Sequence, residues 1–167
     1  LADTEKARAE RFRLLRDRRR SVAGRALLRR VLAAYTGADP AALLLSSTPR
    51  GKPVLAAPSC GLAFNLSHSG PTAAVAVTRQ PRVGVDIEQV RLVPGAARIA
   101  ARYFSVEEQK ALESAPPQAR TEVFLRAWTT REAFVKAVGT GFFSELNRVP
   151  LPVTGAAGPC RALIQEP

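Results

Sequence analysis

Three short stretches hold the residues able to do chemistry. In "VGVDIEQV", residues 83–90, Asp86 and Glu88 stand two apart, so an extended backbone carries both carboxylates on one face, with Gly84 beside them. Like charges at that spacing repel, and an all-oxygen pair suits Mg²⁺, which keeps several waters and bridges to substrate phosphates. A solvent-facing edge that happens to bear two acids is the plainer alternative. In "WTTREAFVKAVGTG", Trp128, Glu132 and Lys136 recur every four residues on one helical stripe. An exposed i,i+4 ion pair would have little consequence, about 0.3–0.5 kcal/mol. The large aromatic on the stripe turns it toward protein, where Glu132 could join Asp86 and Glu88 as a third oxygen ligand. In "FNLSHSG", Ser67, the only histidine His68, and Ser69 precede a glycine, and hydroxyls with a ring in one turn suit a phosphate. A Ser-His nucleophile pair is disfavoured, because neighbours on a strand point in opposite directions.

The elements that must position these residues follow from periodicity. Residues 4–35 read as two helices, with Leu27, Leu28, Val31, Leu32 and Tyr35 as the apolar stripe of the second and Gly37 closing it. Asp39 and Pro40 are expected to open a short helix through "AALLLS". "STPRGKP" is a loop around an exposed Lys52. "LAFNLS", "TAAVAVTR" and "VGVDIEQV" read as three strands of an antiparallel meander, with Asn65 and Ser67 facing outward on the first. Ser105 and Glu108 have capping-box spacing at the start of a helix. The longest helix is predicted from about Thr121 to Val138, ended by Gly139 and Gly141. The proline- and glycine-rich tail gives only weak strand signals.

Composition bounds the class. The chain of 167 residues has a net charge of +11, and residues 1–30 hold eleven Lys or Arg against four acids. An anionic partner is implied. No apolar run approaches the roughly 18 residues of a membrane span, and the charged start has no secretory block, so a soluble cytoplasmic protein is expected. The chain does not begin with Met, and its natural start is expected upstream. Cys60 and Cys160 match no metal-ligand spacing and read as reduced thiols. A basic nucleic-acid-binding module is the rival class. It lacks interleaved aromatic residues and leaves Asp86, Glu88 and Glu132 unexplained, since acids repel phosphate.

Taken in order and at their separations, "FNLSHSG", "VGVDIE", "FSVEE" and "WTTREAFVKAVGTG" resemble the 4′-phosphopantetheinyl transferases of the surfactin-synthetase type, in the holo-acyl-carrier-protein synthase superfamily. "RDRRRSVAGRALLRRVL" and "PRGKPVL" extend the likeness upstream, so that it covers residues 3–145. The resemblance implies an α+β fold, a pseudo-twofold pair of similar lobes with antiparallel sheets and the site between them. Residues 1–90 would form the first lobe and 91–167 a second lobe lacking its terminal strands. It implies transfer of the phosphopantetheine arm of coenzyme A to a serine of an acidic apo acyl or peptidyl carrier protein, with release of 3′,5′-ADP. It also implies a monomer acting without nucleic acid or membrane. Asp86, Glu88 and Glu132 match the Mg²⁺ ligands, and Asp86, Glu132 and Lys136 the catalytic set. Lys136 matches a pyrophosphate contact; Arg20, Lys52, Ser67 and His68 match coenzyme contacts, as does Arg8 by a looser alignment. Arg131 stands where the family usually has lysine. A homologue that only binds carrier proteins, without transfer, is the alternative within the family.

Overall fold

The structure is a computed structural model that describes residues 1–139. Its elements are α1 (Asp3–Glu10), α2 (Leu15–Thr36), β1 (Leu44–Ser47), β2 (Pro53–Ala57), β3 (Ala63–Ser69), β4 (Thr72–Thr78), α3 (Ala96–Tyr103), α4 (Val106–Ser114) and α5 (Arg120–Val138). The class is α+β, with β1–β2 and β3–β4 as two separate antiparallel pairs. Cys160, Gly141 and the strands foreseen in the tail lie outside the described residues.

Helix α2 is long because it holds good helix formers up to Gly37, which takes the left-handed cap at φ 70°. Its buried stripe is narrower than the sequence pattern suggests. Leu28 and Leu32 are fully buried, whereas Leu27 and Tyr35 are exposed. Leu28 and Leu32 pack with Leu43 and Phe64, and Val75 and Val77 of β4 lean on that cluster. A second cluster, Ala100, Phe104, Phe124 and Leu125, joins α3 to α5.

The helix expected after Asp39 does not form. The Asp39 carboxylate accepts from the Ala41 amide at 2.7 Å, and buried Arg29 donates to the carbonyls of Pro40 and Leu43 at 2.6 and 3.0 Å. Carbonyls captured from outside cannot serve a helical ladder, and Leu43 turns into the core as β1 begins.

Register within β3–β4 is set by a two-residue turn between Ser69 and Thr72, where Gly70 supplies φ 57°. Residues 83–90, expected as a third strand, are not one. The segment instead crosses the face of β3, and its alternate amides are taken by side chains: Val85 donates to Asn65 Oδ1 at 2.9 Å, Ile87 to Ser67 Oγ at 3.4 Å and Gln89 to Ser69 Oγ at 3.0 Å. Both partners advance two residues at a time, so every second donor of the extended chain meets a side chain of β3. The supposedly outward Asn65 and Ser67 are therefore buried, at 7% and 4% exposure.

Candidate functional site

Strand β3 sorts the site residues by face. On the face toward α2, Phe64 meets Leu28 and Leu32, and a Cβ on Gly24 would lie 3.8 Å from Leu66. The next pair in the series, His68 with Arg20, opens into a cavity of about 270 Å³ also lined by Phe12, Asp17, Ser69, Glu88 and Arg91. The match is geometric: four helical residues rise ~6 Å and two strand residues ~6.8 Å, so residues 20, 24 and 28 keep pace with 68, 66 and 64. Arg20 lies 3.6 Å from Asp17. The exposed guanidinium of Arg91, which sequence reasoning missed, is in the same wall.

On the opposite face, Ser67 donates to Asp86 Oδ1 at 2.7 Å and Ser69 to Glu88 Oε2 at 2.7 Å. Lys136 reaches across from α5 to Asp86 Oδ1 and donates to Ser67 Oγ at 3.1 Å. The Asp86 side chain is only 6% exposed, so the expectation of a solvent-facing acidic edge fails there, while Glu88 remains exposed. Asp86 Oδ2 is buried and has no hydrogen-bond partner among the described residues.

Glu132 completes the group. Burial first, then the Asp86 and Glu88 charges, hold its carboxyl above the ordinary value of 4.5, with Lys136 opposing them. Three acids thus share a neighbourhood that disfavours the third charge. Among the described residues no three His, Cys, Asp or Glu side chains already enclose a point for a metal ion. The donor chemistry nevertheless fits a hard cation: all oxygen, a buried Asp86 Oδ2 without a hydrogen-bond partner among the described residues, and a Glu132 whose ionisation Lys136 only partly offsets.

A raised folded-state pKa contributes stability that is complete below the unfolded value and is lost as pH rises through the folded value. Ionised Glu132 therefore weakens the cation-free fold at neutral pH. Glu132→Gln is expected to raise the thermal midpoint of the metal-free protein at pH 7.5, an advantage that vanishes in acid where the native carboxyl is protonated. A midpoint that falls at pH 7.5, or a gain independent of pH, would contradict this coupling.

Lys52 sits elsewhere than the exposed loop position foreseen for it. Its ammonium donates to the carbonyls of Ala137 at 2.8 Å and Val83 at 3.3 Å, and burial, then Arg82, keep its pKa below the usual lysine range. Arg8 lies on α1 beside a different concavity, lined also by Thr4, Ala7, Arg11 and Phe12. Arg131, adjacent to Glu132, points away from the acids into a fully buried pair with Glu108. The polar period-two run of Asn65, Ser67 and Ser69, matching the period of residues 85, 87 and 89, was the one sequence signal that could have revealed the β3 crossing. Arg91 and the partners of Lys52 had no such signal.

Both halves of the chain are similar to known proteins. Residues 82–166 match the family model described as the 4′-phosphopantetheinyl transferase superfamily, and residues 1–80 that described as 4′-phosphopantetheinyl transferase, N-terminal. The chain is 37% identical over 156 residues to the 4′-phosphopantetheinyl transferase HetI of Nostoc sp., covering 92% of this chain and 65% of that protein. It is 34% identical to the 4′-phosphopantetheinyl transferase of Bacillus subtilis, with 86% and 62% covered. It is also 34% identical to the L-aminoadipate-semialdehyde dehydrogenase-phosphopantetheinyl transferase of Xenopus laevis, with 90% and 53% covered. The chain thus spans between half and two thirds of the length of these relatives.

Proposed function

The chain belongs to the 4′-phosphopantetheinyl transferase superfamily, and from that premise we propose that it moves the phosphopantetheine arm of coenzyme A onto a serine hydroxyl of an apo carrier protein, releasing 3′,5′-ADP. The observation that supports this reading is the buried Asp86 carboxylate, one oxygen held by Lys136 and Ser67 and the other without a hydrogen-bond partner among the described residues. In this reading Asp86, Glu88 and Glu132 hold Mg²⁺. When bound, the ion supplies charge neutralisation for the pyrophosphate and the departing phosphate.

The chain's own groups do the remaining work. Arg20 and His68, with Arg91 beside them, bind the outer phosphates in the cavity between α2 and β3. Lys136, drawn toward Asp86 by the resting ion pair, presents its remaining donor to the reacting phosphate, where fixed positive charge favours the transition state. Glu132 accepts the serine proton. The arginines of α1 and α2 steer acidic carrier proteins to the cleft. Residues 1–90 and 91–167 act as the two lobes, in a monomeric cytoplasmic protein.

The test is addition of the arm to an apo carrier protein incubated with this chain and coenzyme A, read by intact mass, with Mg²⁺ and with chelator. Transfer is expected only with Mg²⁺, and Glu132→Gln is expected to lower its rate by roughly 10²–10³-fold. Undiminished transfer by the variant would remove Glu132 from the mechanism. Carrier binding by the native chain without any mass gain would favour a homologue that only docks.

A further inference from the structure

We propose that Glu5 is a positioning residue for coenzyme binding, which pins α1 to α2 through Arg29 and so fixes the wall that Phe12 and Arg8 present to the coenzyme. The proposal takes its ligand from the family reading; its geometry stands without it. Helix α1 is eight residues long and only Ala9 on it is buried, so neither length nor an apolar face secures it. The anchor is one carboxylate. Glu5 Oε2 accepts from the Ala2 amide at 2.8 Å, closing the first turn of α1, and from Arg29 Nε at 2.8 Å. Arg29 is itself fixed, because its Nη1 donates to the carbonyls of Pro40 and Leu43. The Glu5 and Arg29 side chains are 10% and 5% exposed, so both charges depend on each other in a desolvated place.

Three guanidiniums gather on the single Glu5 charge: Arg29, Arg25 with its Nε 3.8 Å from Oε1, and Arg8, whose charge is felt at Arg25. Burial lowers the Arg25 pKa, Glu5 opposes the fall, and Arg8 and Arg29 add to it. Without the Glu5 charge, Arg8 on α1 repels Arg25 and Arg29 on α2, and the two helices part. The same device recurs in the other half of the chain, where Glu108 Oε2 takes the Ser105 amide at the start of α4 and Arg131 Nε of α5 at 2.9 Å. The separations are alike, 24 residues from Glu5 to Arg29 and 23 from Glu108 to Arg131. The chain leaves α1 toward Phe12, which lines both the cavity of Arg20 and His68 and the concavity of Arg8 and Arg11. Displacing α1 therefore moves a wall of the coenzyme site and leaves Asp86, Glu132 and Lys136 in place.

The variant that tests this is Glu5→Gln, which keeps the shape and removes the charge. The KM for coenzyme A, and its Kd measured by calorimetry, are expected to rise roughly tenfold with kcat within about twofold, because ground-state binding alone is lost. Amide exchange at residues 6–12 is expected to quicken while the amides of α5 keep their native rates. An unchanged KM, a kcat lowered more than about twofold, or unchanged exchange at 6–12 would each overturn the assignment. Should Glu5→Gln fail to fold, Glu5→Asp decides, because it keeps the charge and gives up the reach to Arg29. A raised Kd with quickened exchange at 6–12 then supports the role, and a native value of either rejects it. A native chain that binds coenzyme A but transfers no arm counts against the family reading alone, since affinity and exchange are read without turnover.

Discussion

Glu108→Ala is expected to destabilise the protein by about 3–5 kcal/mol, the loss typical when one partner of a buried ion pair is removed. Arg131 is 0% and Glu108 4% exposed, and the Arg131 Nε lies 2.9 Å from Glu108 Oε2, with Nη2 on the same oxygen. That oxygen also accepts the Ser105 amide at 2.7 Å, so one carboxylate caps α4 and neutralises a guanidinium on α5. Arg131 further lies 5.9 Å from the centre of the Phe104 ring, which stacks on Phe124 at 5.3 Å in the apolar core. Without Glu108 the Arg131 guanidinium loses this carboxylate in that core. The double change Glu108→Leu with Arg131→Met should recover most of the loss, because it removes both desolvated charges. Urea titration with an unchanged slope is the measurement; a cost below about 1 kcal/mol for the single variant would show the pair to be dispensable.

The same pair explains what could be read in advance and what could not. The capping box was legible, since Ser105 and Glu108 are three apart and the signal is local. The pairing of Glu108 with a residue 23 positions away was not, and Arg131 looked like a variation in the catalytic motif. Helices α2 and α5 were legible for the same local reason, with glycine caps at Gly37 and Gly139. So was the hairpin that carries Ser67 and His68. The contact of Lys136 with Asp86 is set by tertiary packing, which no local signal reports. Residues 83–89 mark the limit most clearly. Alternation reports an extended backbone, and that much is consistent with the alternate amides found on Asn65, Ser67 and Ser69. It carries no information on whether a strand or a row of side chains will take those amides.

Gly84→Ala is expected to be the most damaging conservative change outside the charged groups. An added Cβ would stand 1.8 Å from the carbonyl oxygen of Ala133 and 2.5 Å from the amide nitrogen of Ala137. The obstacle is helix backbone, which cannot rotate away as a side chain can, so the Asp86 segment must lift from α5. Gly84 is absent from the glycines with positive φ, so space and not conformation is what alanine lacks. Lifting the segment parts Asp86 from Lys136 and Val83 from the Lys52 ammonium together. Stability should fall by at least about 1–3 kcal/mol, the usual penalty of overpacking. Transfer should fall by roughly 10²-fold or more, because the acids and Lys136 no longer meet. Ala133→Gly should give no rescue, since the clash is with that residue's carbonyl and not its methyl. Gly24→Ala is the control: its Cβ would sit 3.8 Å from Leu66 Cδ2, an ordinary contact between α2 and β3. There the gain in helix propensity, about 0.5–1 kcal/mol, should leave the protein as stable as before or more so. Equal thermal midpoints for the two alanine variants would mean that the segment does not pack on α5 through Gly84.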